Sequence, residues 1–321
     1  MFSKYKKKIL LSAAFGAIVF LGFSIYADFD KLISAFGKFN WWWFPVILLL
    51  SFGNYFFRFL KWQYYTRLLD IKIRAGRSFL IFLSSFVMSV TPGKMGEVLK
   101  SFLLKEETGT PVSKSAPIIF AERLTDFLSI VFLCILGAYV FNYGLEIIIT
   151  AGLVFVLCVL ILSSQRLSLK IISLFERIRF LKKFISKFHT AYESIYLMLK
   201  LKPLIIAFLI SIVSWFFECV GFYVVLKVFS YSVEMVSISL LIATFIYGFS
   251  TLIGAIAMLP GGLGATEASI TGLLVFLKIP KDISVASTII IRVATLWFAV
   301  IIGIFAIFIY QKTSHHKLED I

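Results

Sequence analysis

The chain has 321 residues, of which 60% are apolar, 17% aromatic and only 15% charged, and its mean hydropathy is +0.97. Soluble domains carry roughly 45–50% apolar and about 25% charged residues, and a chain of this length cannot bury the surplus. Soluble enzymes, disordered chains and disulfide-stapled secreted scaffolds are therefore excluded. A polytopic all-α membrane protein remains, because the apolar runs are continuous rather than alternating as in a β-barrel.

The net charge of +15 does not point to nucleic acid. The basic residues cluster between apolar runs, as the positive-inside rule and attraction to anionic lipid require. Cys134, Cys158 and Cys219 lie within apolar runs and read as small core residues. No HExxH, CxxC or P-loop pattern occurs, so no metal, cofactor or ATP site is expected.

A helical span needs about 20 apolar residues. The first segment runs from Ile9 to Tyr26 behind Lys4, Lys6, Lys7 and Lys8; Asp28-Phe29-Asp30 follows instead of a cleavage site, so it reads as a retained helix. The second runs from Trp42 to Trp62, with Trp41, Trp42 and Trp43 as an interfacial belt. The third, Phe79–Thr91, is short, ends in Pro92-Gly93-Lys94-Met95-Gly96-Glu97, and suits a re-entrant hairpin. The fourth and fifth are Ala116–Phe141 and Leu145–Leu162. Residues 164–202 hold nine Lys/Arg and apolar residues at helical spacing, which predicts amphipathic helix at the cytoplasmic interface and a junction between two halves, 1–163 and 203–311. The sixth to ninth segments are Pro203–Phe229, Met235–Met258, Ala268–Leu277 and Ser284–Tyr310.

Charge sets the expected topology. With the third segment re-entrant, residues 1–8, 58–78, 94–114 and 164–202 all face the cytoplasm, as do both termini. The loops 27–40, 142–145 and 227–234 face out. Eight spans result if the seventh and eighth segments each cross, and a second re-entrant hairpin is the alternative there.

Two stretches look like copies. Pro92-Gly93-x-x-Gly96-Glu97 and Pro260-Gly261-Gly262-Leu263-Gly264-x-x-Glu267 each follow an apolar segment. Pro92 precedes Arg123 by 31 residues, and Pro260 precedes Arg292 by 32. Proline stops a helix and glycine admits left-handed backbone, so each stretch predicts a broken helix at membrane depth. Such breaks survive only inside protein or beside a wet cavity, and in paired halves they point to a transporter's binding site. A plain interfacial loop is the alternative.

Glu122, Arg123, Asp126, Glu218 and Arg292 sit within or at the edge of apolar runs. Each such charge facing lipid would cost about 2.5–3.5 kcal/mol, so they face the interior and pair. A structural ion-pair network and an anion-binding cavity are both compatible with them. Arg58, Lys61 and Trp62 on their own read as snorkelling anchors at a helix end. Ser84, Ser85, Ser89, Ser211, Ser214 and Ser250 read as helix-packing residues.

The ordered set of motifs resembles a known family. Arg58-x-x-Lys61-Trp62, Thr91-Pro92-Gly93-x-x-Gly96-Glu97, Ala121-Glu122-Arg123-x-x-Asp126, Leu259-Pro260-Gly261-Gly262-Leu263-Gly264-x-x-Glu267, and Arg292 with Trp297 and Gly303 follow one another as in the lysylphosphatidylglycerol synthase transmembrane, or flippase-like, proteins. The likeness spans about residues 10–310. It implies a helical bundle with re-entrant segments, and a translocator of lipid rather than an enzyme. In the best understood relatives the domain adjoins a soluble domain that attaches lysine to phosphatidylglycerol; these 321 residues contain none, so the expectation is a stand-alone member. Relatives often carry Arg and Asp where this chain has Lys94 and Glu97; charge type is retained.

The expected function is movement of a phospholipid or isoprenoid-linked lipid across the cell membrane. Arg58, Lys61, Pro92, Gly93, Gly96, Glu97, Glu122, Arg123, Asp126, Glu218, Pro260, Gly261, Gly262, Gly264, Glu267 and Arg292 are the candidate substrate-binding residues. A separate lipid-modifying enzyme and a homodimer are the expected protein partners. The rival readings are an ion-coupled transporter of a small solute, a membrane enzyme acting on lipid-linked sugar, and an assembly partner.

Overall fold

A computed structural model describes residues 16–91, 96–141, 185–232 and 238–313, with a few single positions between 146 and 157. Every regular element among the described residues is helical. Pro92, Gly93 and Lys94, most of the fifth apolar segment, Cys158, residues 164–184 and both extreme termini lie outside them.

Helix α1 spans Gly16–Ala27, and α2 spans Phe29–Lys38. The stretch expected as an outer loop is thus largely helix. Leu32 and Ala35 sit one turn apart and are buried, while Asp30 and Lys38 mark the acidic first and basic last turns. The triple tryptophan forms a turn capped by Asn40, and Trp42 is 88% exposed, as an interfacial belt requires. Helix α3 follows over Phe44–Leu68, entered through Pro45 in its first turn.

Helix α4, Ala75–Ser84, tightens into a 3₁₀ turn at Ser85–Met88. After the first broken loop, α5 covers Leu99–Thr108 and ends on Gly109 in left-handed conformation. Helix α6 is Val112–Phe141, α7 is Ile185–Leu199, and α8 is Leu201–Ser232. Helix α9, Leu240–Ile256, runs to the second broken loop, from which α10 returns over Ala265–Phe276. Helix α11, Lys281–Thr313, contains a π turn at Val293–Trp297. Trp41–Leu68, Leu201–Ser232 and Lys281–Thr313 are long and apolar enough to cross a membrane, and apolar side chains such as Leu49, Leu209 and Phe305 stay exposed on the bundle's outside.

Contacts fix the direction of both hairpins. Arg77, at the start of α4, pairs with Glu107, at the end of α5, at 2.9 Å, and donates to Thr313 Oγ1 at 2.7 Å at the end of α11. The first hairpin therefore opens to the end of the bundle where α11 stops. At the other end Lys281 lies over the Tyr26 ring, 5.1 Å from its centroid, and Phe39 meets Phe229 at 5.2 Å. Helix α9 starts at that other end: a Cβ on Gly137, late in α6, would stand 2.6 Å from Leu241 O. Helix α10 finishes there too, with four residues between its end and the start of α11. The two hairpins enter from opposite ends.

Their tips meet. A Cβ on Gly261 would lie 3.5 Å from Val90 Cα, and Val90, Leu263, Leu296 and Val300 form one apolar cluster. Leu296 lies midway along α11. The seventh and eighth segments thus form a hairpin whose tip meets the first at the middle of α11, the arrangement expected of the re-entrant alternative.

Two expectations are corrected. The described part of 94–114 is not a solvated loop: α5 occupies much of it, with Leu99, Lys100, Ser101, Leu103 and Leu104 buried. Its lysine and glutamates made a hairpin limb look like a loop. The described part of the basic zone docks on protein rather than only on lipid; Leu199 packs with Leu124 of α6, and Tyr192 and Met198 are buried.

Candidate functional site

Two polar centres flank the meeting tips. The first gathers side chains from α3, α5, α6 and α8. Lys61 Nζ donates to Asp126 Oδ1 at 2.5 Å and Ser211 Oγ at 2.7 Å, with Thr125 Oγ1 at 3.3 Å. Lys100 pairs with Glu122 and lies 4.7 Å from the Trp62 ring centroid. Glu97 faces Arg123 at 3.2 Å and Arg58 at 3.6 Å, and Arg123 also approaches Asp126 at 3.3 Å. Gly96 N–H donates to Thr91 Oγ1 at 2.8 Å, which ties off the loop just before Glu97.

Arg58 and Lys61 are therefore not snorkelling anchors. Lys61 is 1% exposed, because carboxylates on α6 neutralise it inside the bundle. Among the described residues this centre holds four cations (Arg58, Lys61, Lys100, Arg123) and three carboxylates (Glu97, Glu122, Asp126), one cation in excess. The side chain of Arg123 is 26% exposed and its Nε has no hydrogen-bond partner. One turn before it, Phe120 is 45% exposed on the outer surface. The freest cation of the cluster thus borders the lipid-facing side.

The second centre is closed. Gly261, Gly262 and Gly264 have φ of 61°, 67° and 86°, a run that only glycine adopts without strain. Pro260 starts the turn. Glu267 Oε2 accepts from Gly264 N–H at 2.7 Å, and its Oε1 accepts from Arg292 Nε at 2.6 Å. Arg292 Nη2 donates to Gly261 O at 2.7 Å. Beside it Tyr247 OH donates to Glu218 Oε2 at 2.6 Å.

Arg123 and Arg292 each bind the glutamate of their own hairpin. Between the centres Tyr55 OH donates to Thr295 O at 2.6 Å, and its ring meets Phe86, over which Arg58 lies at 5.5 Å. The two stretches also share an element order: limb, broken loop, glutamate, limb, proline, arginine helix. Pro111 precedes Arg123 by 12 residues, and Pro280 precedes Arg292 by 12.

Lys100, Ser211, Tyr55 and Tyr247 escaped the sequence reading. Lys100 had a signal: it stands three residues after Glu97, on one helical face with it. Tyr55 and Tyr247 had none, since aromatics abound here. Ser211, expected as a packing residue, accepts from Lys61.

A bundle of apolar helices with two opposed re-entrant hairpins and buried ion pairs at their tips is a polytopic membrane protein. Residues 9–303 match the family described as lysylphosphatidylglycerol synthase TM region, and the chain belongs to it. It is also similar to two UPF0104 membrane proteins of Methanothermobacter thermautotrophicus, 25% identical over 96% of this chain and 94% of the relative, and 23% over 81% and 83%. A UPF0104 membrane protein of Methanocaldococcus jannaschii is 25% identical over 71% of this chain and 95% of its own length.

Proposed function

We propose that the protein carries a phospholipid or lipid-linked anionic headgroup across the cell membrane, without covalent chemistry of its own. The observation that carries this reading is the Arg123 centre: one cation in excess, a guanidinium edge without hydrogen-bond partners, and an exposed apolar surface one turn away. An amphiphile needs that adjacency, since its phosphate must reach a cation while its tails stay in lipid. Arginine suits phosphate because its planar fork donates two parallel hydrogen bonds. Opposed hairpins meeting at mid-height supply a barrier reachable from either side. The end bearing Arg67, Lys72 and Arg74 would face the cytoplasm, with both termini, by the positive-inside rule. A separate enzyme would make the lipid.

The test is a transbilayer assay. The full chain is placed in liposomes containing headgroup-labelled phosphatidylglycerol or phosphatidylcholine, and label accessibility is followed with time. Faster movement of the anionic lipid, lost at least tenfold in Arg123→Lys at equal folded protein, is the expected result. No lipid movement by the wild type, or equal rates for Arg123→Lys, would overturn the reading. Uptake of a water-soluble anion without lipid movement would transfer the site to a solute transporter.

A further inference from the structure

Away from both centres, the turn joining α3 to α4 encloses an open cavity of about 560 Å³. Its walls carry Arg67, Lys72 and Arg74 against a single acid, Asp70, with the buried Ile71 behind them. Helix α4 starts at its edge with Ala75, and no side chain caps that start. The first N–H groups of a helix lack intrahelical partners and favour an anion. Gln63 lines the same cavity; it is 8% exposed, and its Oε1 has no hydrogen-bond partner. Desolvating an amide oxygen without a partner is costly, so a hydroxyl or ammonium donor belongs there.

We infer that this cavity is a binding site for the headgroup of an anionic phospholipid in the adjoining leaflet, distinct from the Arg123 centre and independent of whether the protein moves lipid. The phosphate meets Arg67, Lys72, Arg74 and the start of α4, while a headgroup hydroxyl donates to Gln63. The location selects a lipid over a soluble phosphate. The cavity opens where a spanning helix ends, at headgroup depth, beside the Arg77–Glu107–Thr313 contact that closes this end of the bundle. A lipid seated there braces the root of the first hairpin.

The four charged groups are exposed, so their substitution leaves the core intact. Purified full-length protein is stripped of lipid, titrated with phosphatidylglycerol, and read by native mass spectrometry. The wild type should show one tight lipid, with apparent affinity at least tenfold weaker in R67Q/K72Q/R74Q. Asp70→Asn should bind about two- to threefold more tightly, because a local negative charge is removed. Gln63→Leu should lose the preference for phosphatidylglycerol over phosphatidic acid, which lacks the glycerol hydroxyls. Glycerol phosphate at millimolar concentration should not displace the lipid. Unchanged affinity in the triple variant, equal binding of phosphatidylcholine, or displacement by glycerol phosphate at the lipid's own affinity would each overturn the assignment.

Discussion

The two hairpins follow the same plan and finish it differently. In each, a glutamate just past the broken loop reaches an arginine 12 residues into the following proline-led helix. In the second hairpin the pair is complete. Arg292 binds Glu267 and the Gly261 carbonyl, and Glu267 also caps α10. In the first, the glutamate is shared by Arg58 and Arg123 within a seven-charge cluster, and Arg123, which also meets Asp126, leaves its buried Nε without a hydrogen-bond partner. The same motif therefore closes on itself in the second hairpin, while in the first it joins a larger cluster with one cation in excess among the described residues.

The largest effect should come from breaking the inner pairs of the first centre. Lys61→Met leaves Asp126 buried without its closest cation, and removing one member of a buried pair costs about 3–5 kcal/mol. The purified protein's melting temperature in detergent should fall accordingly. A melting temperature near wild type would mean that the cluster is wetter and looser than its geometry.

The next test separates the two arginines. Arg292→Lys loses a charge-assisted hydrogen bond within its hairpin, worth about 1.5–3 kcal/mol. Arg123→Lys should cost at most about 1 kcal/mol, because it keeps the charge beside Glu97 and Asp126 while Nε and Nη2 of the arginine make no hydrogen bond to lose, yet abolish most lipid movement. Equal destabilisation by both substitutions would erase the distinction between the self-closed hairpin and the cation-rich cluster.

A third test addresses how closely α11 packs on the first hairpin. A Cβ on Gly303 would stand 2.3 Å from Val87 N, so Gly303→Val should destabilise by about 1–3 kcal/mol through overpacking. Gly272→Ala, in α10 with open space around it, should be neutral or stabilising by up to about 1 kcal/mol. Thermal unfolding of the two variants side by side decides it.

The smallest perturbation checks the opposed entry. Cysteines at Gly76 and Gln311 should react with an impermeant thiol reagent from one side of the membrane, and a cysteine at Gly37 from the other. Labelling of Gly76→Cys and Gly37→Cys from the same side would make the hairpins enter together and break the comparison at its root.

Much of this was legible in the sequence. Continuous apolar runs announced a helical membrane protein, and charges too costly to leave in lipid singled out Arg123, Asp126 and Arg292. Near-equal spacing from the Pro-Gly loops, 31 and 32 residues, marked the two stretches as alike. Other features were hidden for physical reasons. Helix α5 is amphipathic and carries Lys100, so hydropathy alone cannot tell a hairpin limb from a loop. Only Glu122, contributed by another helix, makes burial of that lysine affordable. The opposite sense of the two hairpins is a property of contacts such as Arg77 with Glu107 and Gly137 with Leu241, which spacing along the chain does not encode. The unequal use of the two arginines is likewise set by neighbours: α3 and α5 add three cations to the first centre and none to the second.

Helix α11 touches both tips. Its Arg292 and Leu296 hold the second, and Gly303, two to three turns on, lets its backbone lie against Phe86 and Val87 of the first. At 1.5 Å per residue it is a rod of about 50 Å. A rod fastened to two barriers acts as a common rail. A slide of α11 along its axis changes the spacing at both tips at once, and neither tip can retreat without dragging on the contact that secures the other. The π turn at Val293–Trp297 lies between Arg292 and Gly303 and itself carries Leu296, so the added residue in the helical turn sets the phase between the two fastened ends. The two tips are thereby coupled mechanically through a single helix.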